Sequence, residues 1–372
     1  IFLEKVKSLS LSPEAIKRHH DMKIVYTPIH GTGLKLIPRS LANYGFTNII
    51  GVPEQEVLSG DFPTVASPNP EEPSAMAMAI EKAKETGAEV VMASDPDADR
   101  IGLVIRDNNG EYVLINGNQI VMIFLNYLMT RNTELGTLTG NEYIVKTIVT
   151  TETIRTIAEA QHIKMYDCFT GFKWIANVMR ENEGKARYLG GGEESYGFLA
   201  EDFVRDKDSV SAISLMAEIA AWAKDKGLNM TDMLIDIYMK YGFSREKGIS
   251  LVRKGKSGAE EIIALMKQFR ENPPKEIAGS PVVTVKDFQS LVETNVATGE
   301  TKKLDMPATS NVLQYYTADR TKVSVRPSGT EPKIKFYIEV HDTLASADEY
   351  KATEARADEK IGRIAKEFGI TK

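Results

Sequence analysis

Asp95-Pro96-Asp97-Ala98-Asp99-Arg100 is the stretch from which the rest of the chain is read: three aspartates at alternate positions, with an arginine directly behind them. Ahead of it, Ala88-Glu89-Val90-Val91-Met92-Ala93 is a short apolar run of the kind that forms a buried strand, and 101–105 is another. The carboxylates therefore fall where a strand ends and the chain turns, the edge at which open α/β sheets bind ligands. In an extended segment, a spacing of two places all three side chains on one side. Three like charges so close repel one another unless a cation neutralises them. An all-oxygen donor set suits Mg²⁺, which keeps positions open for water or a substrate phosphate. Taken alone, the same pattern also describes a solvated acidic turn.

With 372 residues the chain has room for roughly two to four domains and enough apolar content to give each a core. Charged residues make up 26% and the net charge is -6, a mildly acidic balance that argues against a nucleic-acid or membrane-surface partner. No apolar run reaches transmembrane length and no signal peptide is visible. Cys168 is the only cysteine, so a disulfide framework is excluded and a reducing cytoplasm is the expected compartment. At a strand end it reads as a core residue rather than a nucleophile. The opening Phe2-Leu3-Glu4-Lys5-Val6 looks like the middle of a helix, and 1–20 is expected to be a residual helix from a missing first domain or linker.

In order, Lys23-Ile24-Val25-Tyr26 is the first firm strand, running into Thr27-Pro28-Ile29-His30-Gly31-Thr32-Gly33. A helix over 34–44 and a strand over 48–52 complete a βαβ unit. Gly31 and Gly33 allow close approach by a ligand or a packed neighbour, and His30 is either a site residue or a local hydrogen-bonder. Pro63, Pro68, Pro70 and Pro73 keep 62–73 irregular. A helix over 74–86 leads into the aspartate strand, and Asn109-Gly110 marks a hairpin after it. A second α/β unit begins near Asn116, with helices over 119–129, 152–161 and 170–181 and strands over 143–149 and 163–168. It closes with a short strand, Tyr188-Leu189, and two helices over 209–224 and 231–241. The two units look like copies of one plan. The remainder changes character: strands over 249–252, 282–285, 311–316, 322–325 and 334–340, with helices over 259–270 and 345–368, describe α+β with an antiparallel sheet. The expected domains are 21–115, 116–243 and 244–372.

Three further stretches carry candidate chemistry. Gly190-Gly191-Gly192-Glu193-Glu194-Ser195-Tyr196-Gly197 sits at a strand end, where two carboxylates and a hydroxyl suit neighbouring hydroxyls of a sugar and the glycines let a ligand approach; it reads equally as a polar loop. Arg326-Pro327-Ser328-Gly329-Thr330-Glu331-Pro332-Lys333 joins two strands and offers a guanidinium, two hydroxyls and loop N–H groups, a set for a phosphate dianion. Lys333 and Lys335 add charge there, and the competing reading is an ordinary basic hairpin. Lys173, two residues after Gly171 at a helix start, is either an anion-binding or proton-transferring lysine or a solvated one. A metal loop, a polyol loop and a phosphate loop in separate units suggest a phosphosugar held in a cleft between domains.

In this order, Asp-Pro-Asp-Ala-Asp-Arg, Gly-Glu-Glu-Ser-Tyr-Gly and Arg-Pro-Ser-Gly-Thr-Glu-Pro-Lys resemble the metal-, sugar- and phosphate-binding loops of the α-D-phosphohexomutase superfamily (phosphoglucomutase and phosphomannomutase). The likeness spans about 23–368, and Thr170-Gly171-Phe172-Lys173-Trp174 is similar to the phosphoglucomutase branch. The resemblance implies two tandem α/β domains followed by an α+β domain, around a cleft in which a phosphoserine passes its phosphoryl group to a hexose phosphate through a bisphosphate. It implies Mg²⁺ on Asp95, Asp97 and Asp99, with Arg100 stabilising the transferring group. Glu193 or Glu194, with Ser195, would hold sugar hydroxyls; Arg326, Ser328, Gly329, Thr330 and Lys333 would grip the non-reacting phosphate, and Lys173 would transfer a proton or contact phosphate. The expected ligand is of the glucose 1-phosphate/glucose 6-phosphate class. Phosphopentomutase, phosphomannomutase and a non-catalytic phosphosugar-binding module are the alternatives. One departure is large: the family's Thr-Ala-Ser-His-Asn-Pro phosphoserine loop has no counterpart here. Ala66-Ser67-Pro68-Asn69-Pro70 lacks the histidine and lies within the second domain, so the resemblance points to domains two to four of a mutase, inactive by themselves.

Overall fold

The computed structural model describes residues 1–253, 255–329 and 332–370. They fall into two compact units, Ile1–Ile237 and Tyr238–Lys372. The first contains two α/β sheets and the second an antiparallel sheet with helices, the class the motifs imply.

The first unit opens with two short helices, α1 (Phe2–Lys7) and α2 (Pro13–Arg18), followed by β1 (Ile24–Thr27), α3 (Ile37–Tyr44), β2 (Ile49–Gly51), α4 (Pro73–Thr86), β3 (Val90–Ser94), β4 (Ile101–Arg106) and β5 (Tyr112–Ile115). The helix expected from residue 34 starts only at Ile37, after a 3₁₀ turn over Thr32–Leu34. Pro38 accounts for the start: its locked φ and missing N–H belong in a first turn. The sheet order is β2-β1-β3-β4-β5, parallel through the first three strands and antiparallel beyond. Helix α4 lays Ala75, Met76, Ala79 and Ala83 against Val25, Val91 and Val104, and the three alanines let helix and sheet approach closely. The β4–β5 hairpin turns where Asn109-Gly110 marks it: Gly110 has φ +86°, and Asp107 Oδ1 accepts from the Asn109 and Glu111 N–H groups at 2.9 Å.

A second sheet follows from α5 (Gly117–Glu134), β6 (Glu142–Thr147), α6 (Thr153–Ala160), β7 (Lys164–Cys168), α7 (Phe172–Asn182), β8 (Arg187–Glu193) and β9 (Gly197–Ala200), in the order β7-β6-β8-β9. Its first three strands are parallel and β9 is antiparallel, so the two sheets repeat one scheme: second, first, third, then a reversed fourth. An Asn116–Gln119 capping box fixes the start of α5. Strand β8 is longer than Tyr188-Leu189, because Gly190, Gly191 and Gly192 belong to it. A Cβ at Gly190 would stand 2.9 Å from Leu128 Cδ1, at Gly191 2.6 Å from the Val145 carbonyl oxygen, and at Gly192 2.6 Å from Val121 Cγ2. These glycines serve close packing of α5 and β6 on β8, which corrects their reading as room for a ligand.

Helix α8 (Ser209–Asp225) is buried along nearly its whole length and packs on α2, α3, α5, β3, β4 and β9. An apolar surface on nearly all sides is what a helix between two sheets requires, and α8 packs against both α/β segments of the first unit. The segment 1–20 is part of that unit: the Tyr44 hydroxyl donates to the Val6 carbonyl at 2.8 Å, and Arg18 pairs with Asp225.

Helix α9 (Met230–Tyr241) leads into the second unit, which comprises β10 (Phe243–Val252), α10 (Gly255–Glu271), β11 (Glu276–Ile277), β12 (Ser280–Asp287), β13 (Val292–Asn295), β14 (Thr301–Lys303), β15 (Leu313–Thr317), β16 (Lys322–Pro327), β17 (Lys333–Asp342) and α11 (Tyr350–Glu367). Its strands run β10-β17-β16-β15-β12-β13-β14, every neighbour antiparallel, with β11 paired to β12. Phe269, Phe336 and Phe368 meet at centroid distances of 5.6 to 6.0 Å where α10 and the C-terminal end of the chain pack on the sheet. Among the described residues no helix is long and apolar enough to cross a membrane.

Candidate active site

The hairpin between β3 and β4 holds 95–100, and the equivalent hairpin of the second sheet, between β8 and β9, holds 194–196. The two meet. Ile101 N–H donates to the Tyr196 carbonyl at 3.0 Å, and Gly117 at the start of α5 lies under 194–196 so tightly that a Cβ there would be 2.0 Å from the Glu194 carbonyl oxygen.

Asp95, Asp97 and Asp99 do converge, each offering a carboxylate oxygen within 4.8 Å of the others. They do so by a tight turn rather than an extended strand. Ala98 sits at φ +58°, and Asp95 Oδ1 accepts from the Asp99 and Arg100 N–H groups at 2.9 Å. The turn rests on the Gly31 loop: Thr32 N–H donates to the Pro96 carbonyl at 2.8 Å, and a Cβ at Gly31 would stand 2.3 Å from Pro96 Cα. Gly31 thus serves a packed neighbour. His30 is buried with both ring nitrogens bonded inside the fold, to the Val57 carbonyl at 2.7 Å and the Thr64 hydroxyl at 2.8 Å, which makes it the local hydrogen-bonder.

Burial, with the Asp99 and Asp97 charges behind it, pushes the Asp95 carboxyl up to about 7 against the pull of the Arg100 N–H. Loss of hydration is the larger cause, and the repulsion between neighbouring carboxylates adds to it. Two cations border them. Arg100 pairs with Glu71 at 2.9 Å and stands 3.6 Å from Asp95, and Lys207 Nζ is 2.8 Å from Asp99 Oδ2. Lys207 did not stand out in the sequence, where Arg205-Asp206-Lys207-Asp208 reads as a solvated charge run. Its signal was position, directly before the aspartate that caps α8.

Glu193 and Glu194 part company. Glu193 is buried, and its Oε1 accepts from the Gly171 N–H at 2.6 Å. Burial first, then the Glu194 charge, raise its carboxyl to about 7, opposed by that N–H and by Lys207 and Arg100. Glu194 Oε2 is instead taken by the Thr147 and Thr150 hydroxyls at 3.1 and 3.2 Å, at the end of β6. Ser195 lies in the turn between β8 and β9. Lys173, in the first turn of α7, is exposed, with its ammonium 5.5 Å from the Trp174 ring centroid. Cys168 is buried at the end of β7.

In the second unit, Arg326 and Pro327 end β16 and Lys333 starts β17, with Arg326 opposite Lys335 and Pro327 opposite Ile334. Ser328 N–H donates to the Lys333 carbonyl at 2.7 Å, and Arg253 N–H, directly after β10, donates to the Pro332 carbonyl at 2.9 Å. Arg326, Ser328 and Lys333 are partly exposed and Gly329 is exposed; Thr330 lies outside the described residues. Ser328 and Gly329 border a cavity of about 520 Å³ whose other wall is α10, through Ile262, Ile263 and Met266.

Three models of one family match the chain: "Phosphoglucomutase/phosphomannomutase, alpha/beta/alpha domain II" over residues 1–110, domain III over 116–241, and the C-terminal domain over 274–357. The phosphoglucomutase of Staphylococcus haemolyticus is 35% identical over 321 residues, covering 86% of this chain and 58% of its own length. That of Staphylococcus aureus (strain MRSA252) is 34% identical over 318 residues, covering 86% and 56%. The chain therefore spans less than two thirds of these relatives. In fold it is similar to a phosphoglucomutase/phosphomannomutase family protein from Burkholderia thailandensis (TM-score 0.62, 19% identity, 94% of this chain and 61% of that one). It is likewise similar to parafusin from Paramecium in its open form (TM-score 0.63, 16% identity, 98% and 62%).

Proposed function

The chain belongs to the phosphoglucomutase/phosphomannomutase family, and from that premise we propose that it supplies the metal-, sugar- and phosphate-binding parts of a phosphoglucomutase. Such an enzyme moves a phosphoryl group between C1 and C6 of a hexose phosphate through a bisphosphate. On this reading 21–115 binds the metal, 116–243 the sugar and 244–372 the phosphate.

Asp95, Asp97 and Asp99 would hold Mg²⁺. Their three carboxylate oxygens, with no nitrogen or sulfur donor among them, fit a hard cation that keeps some of its positions for water or phosphate. Bound there, Mg²⁺ would supply positive charge against the phosphoryl group in transfer. Arg100, oriented by Glu71, adds a fixed positive charge beside the same group. Glu193 and Ser195 take the sugar hydroxyls. A carboxyl raised to about 7 both accepts and donates hydrogen bonds near neutrality, while Glu194 braces the loop against β6. Lys207 joins Lys173 as a residue for proton transfer or phosphate contact. Arg326, Ser328, Gly329 and Thr330, with Lys333, hold the non-reacting phosphate by guanidinium, hydroxyl and N–H donors. The phosphoryl donor of the family, a serine in a Thr-Ala-Ser-His-Asn-Pro loop, has no counterpart in the 372 residues, so this chain alone binds phosphosugar without turning it over.

The observation that carries the proposal is the meeting of the acidic triplet, Arg100, Lys207 and Glu193 at two equivalent hairpins. Calorimetric titration with glucose 1,6-bisphosphate in Mg²⁺ should give one site, weakened at least tenfold by Arg326→Ala, and a coupled assay with glucose 1-phosphate should show no turnover. Absence of binding would overturn the phosphosugar reading. Turnover that survives Ser67→Ala would overturn the reading that the chain is inactive alone. Mannose 1-phosphate and ribose 1-phosphate, titrated in the same way beside glucose 1-phosphate, rank the ligand.

A further inference from the structure

The turn that carries the aspartates is fastened to the helix that follows the sugar loop, and one side chain does the fastening. Ser209 is the first residue of α8 and is fully buried. Its N–H donates to the Ala98 carbonyl at 3.0 Å and its hydroxyl to the Arg100 carbonyl at 2.6 Å. Those two carbonyls flank Asp99. Ala98, at φ +58°, occupies a conformation that a residue with a Cβ holds only where its surroundings impose it. The helix start itself is rigid: Asp208 caps α8 by accepting from the Val210 and Ser211 N–H groups at 3.0 and 3.1 Å. With Ile101 bonded to Tyr196, and Lys207 to Asp99, 98–101 is held from the second sheet's side at every residue.

We propose that Ser209 is a positioning residue for the divalent cation. Its hydroxyl keeps the Arg100 carbonyl, and with it the Asp97–Asp99 side of the turn, in the orientation that faces Asp95. It thereby couples cation binding to the start of α8, although it touches none of the three carboxylates. This rests on the reading of the triplet as a metal site. The main-chain bond from Ser209 to Ala98 survives replacement of the side chain, so Ser209→Ala removes the hydroxyl's contribution alone. Loss of one buried hydrogen bond of this kind should weaken the cation about five- to tenfold.

The test uses Mn²⁺ as a paramagnetic stand-in for Mg²⁺, titrated against the 372-residue chain and followed by the electron spin resonance of the free ion. The unmutated chain should bind one Mn²⁺, Asp97→Asn should lose it, and Ser209→Ala should bind it about five- to tenfold more weakly. A serine that only stabilises the fold would lower the melting temperature of the metal-free protein and leave the Mn²⁺ affinity unchanged. If the unmutated chain and Asp97→Asn behave as stated and Ser209→Ala binds as tightly as the unmutated chain, this inference alone fails. If the unmutated chain binds no Mn²⁺, the metal site fails and takes the inference with it. Hydrogen exchange on the unmutated chain gives a reading free of any folding defect. Mn²⁺ should slow exchange across 95–101 and across the first turn of α8 together. Protection confined to 95–101 would overturn the coupling.

Discussion

Truncating Glu218 to alanine should cost the first unit about 3–5 kcal/mol, the range for removing one partner from a buried charged cluster. The carboxylate is fully buried on α8 and takes bonds from the Leu11 N–H at 2.8 Å, the Ser12 N–H at 3.2 Å, the Tyr127 hydroxyl at 2.6 Å and the Ser10 hydroxyl. Hydrogen bonds to a charged group are worth roughly 1.5–3 kcal/mol each, and burying the charge gives several kcal/mol back. After truncation the Tyr127 hydroxyl still reaches Ser12 Oγ at 2.8 Å, and Arg131 Nε reaches it at 2.9 Å, but the two main-chain amides have no such alternative. Glu218→Gln keeps an acceptor of the same shape and should cost about 1–2 kcal/mol. The two variants also separate by pH. Burial raises the Glu218 carboxyl above its ordinary 4.5, against its hydrogen bonds to Ser10, Tyr127, Leu11 and Ser12. The folded chain therefore binds that proton more tightly than the unfolded one. Its contribution to stability is complete below the ordinary value and is lost as pH rises through the raised one. Glu218→Gln lacks this slope. Both tryptophans, Trp174 and Trp222, lie in the first unit, so guanidinium unfolding followed by tryptophan fluorescence reports that unit alone. Proteolysis within 8–20 should accelerate in parallel. A loss below about 1 kcal/mol in Glu218→Ala, or the same pH slope in Glu218→Gln as in the native chain, would refute the reasoning.

Two helical glycines should respond to alanine with opposite signs. At Gly117 the new methyl would stand 2.0 Å from the Glu194 carbonyl oxygen, so Gly117→Ala should destabilise by about 1–3 kcal/mol and loosen 193–197 in hydrogen exchange. At Gly362, within α11, nothing lies within 4 Å, and Gly362→Ala should stabilise by about 0.5–1 kcal/mol through helix propensity. In the second unit, burial would raise the Asp319 carboxyl, but Lys360 at 2.6 Å and the Thr317 and Thr321 hydroxyls pull it well below the usual aspartate range. A depressed carboxyl contributes stability above its unfolded value of 3.8 and loses it as pH falls toward the folded one. Asp319→Asn should therefore melt below the native chain at pH 5 to 7, with the gap closing as the pH drops below about 4; a gap that widens in acid would contradict the assignment.

Much of this architecture was legible because the strands around the acidic triplet are buried on both faces and read as unbroken apolar runs, Val90 to Ser94 and Ile101 to Ile105. What was hidden follows from tertiary contact. Nothing about an alanine announces that Ala98 turns left-handed, so the sequence places the triplet at a strand end but does not show the turn, held by Ser209 and Asp95, through which it converges. Three consecutive glycines look like a loop in any sequence. Only the nearness of Leu128, Val145 and Val121 shows that they lie in β8 because no larger residue fits there. Strands β13 and β14 are partly or fully exposed and lack the alternation that marks a half-buried strand. The likeness between the two α/β segments, faint in the sequence, explains the site best. If both sheets follow one scheme, the hairpins after their third strands are counterparts, and the acidic turn and the Glu193–Ser195 turn occupy the same place in each copy. Packing both copies on α8 sets those counterparts side by side. The acidic turn and the Glu193–Ser195 turn thus become neighbours through the repetition of the fold, with Ile101 and Tyr196 as the point of contact.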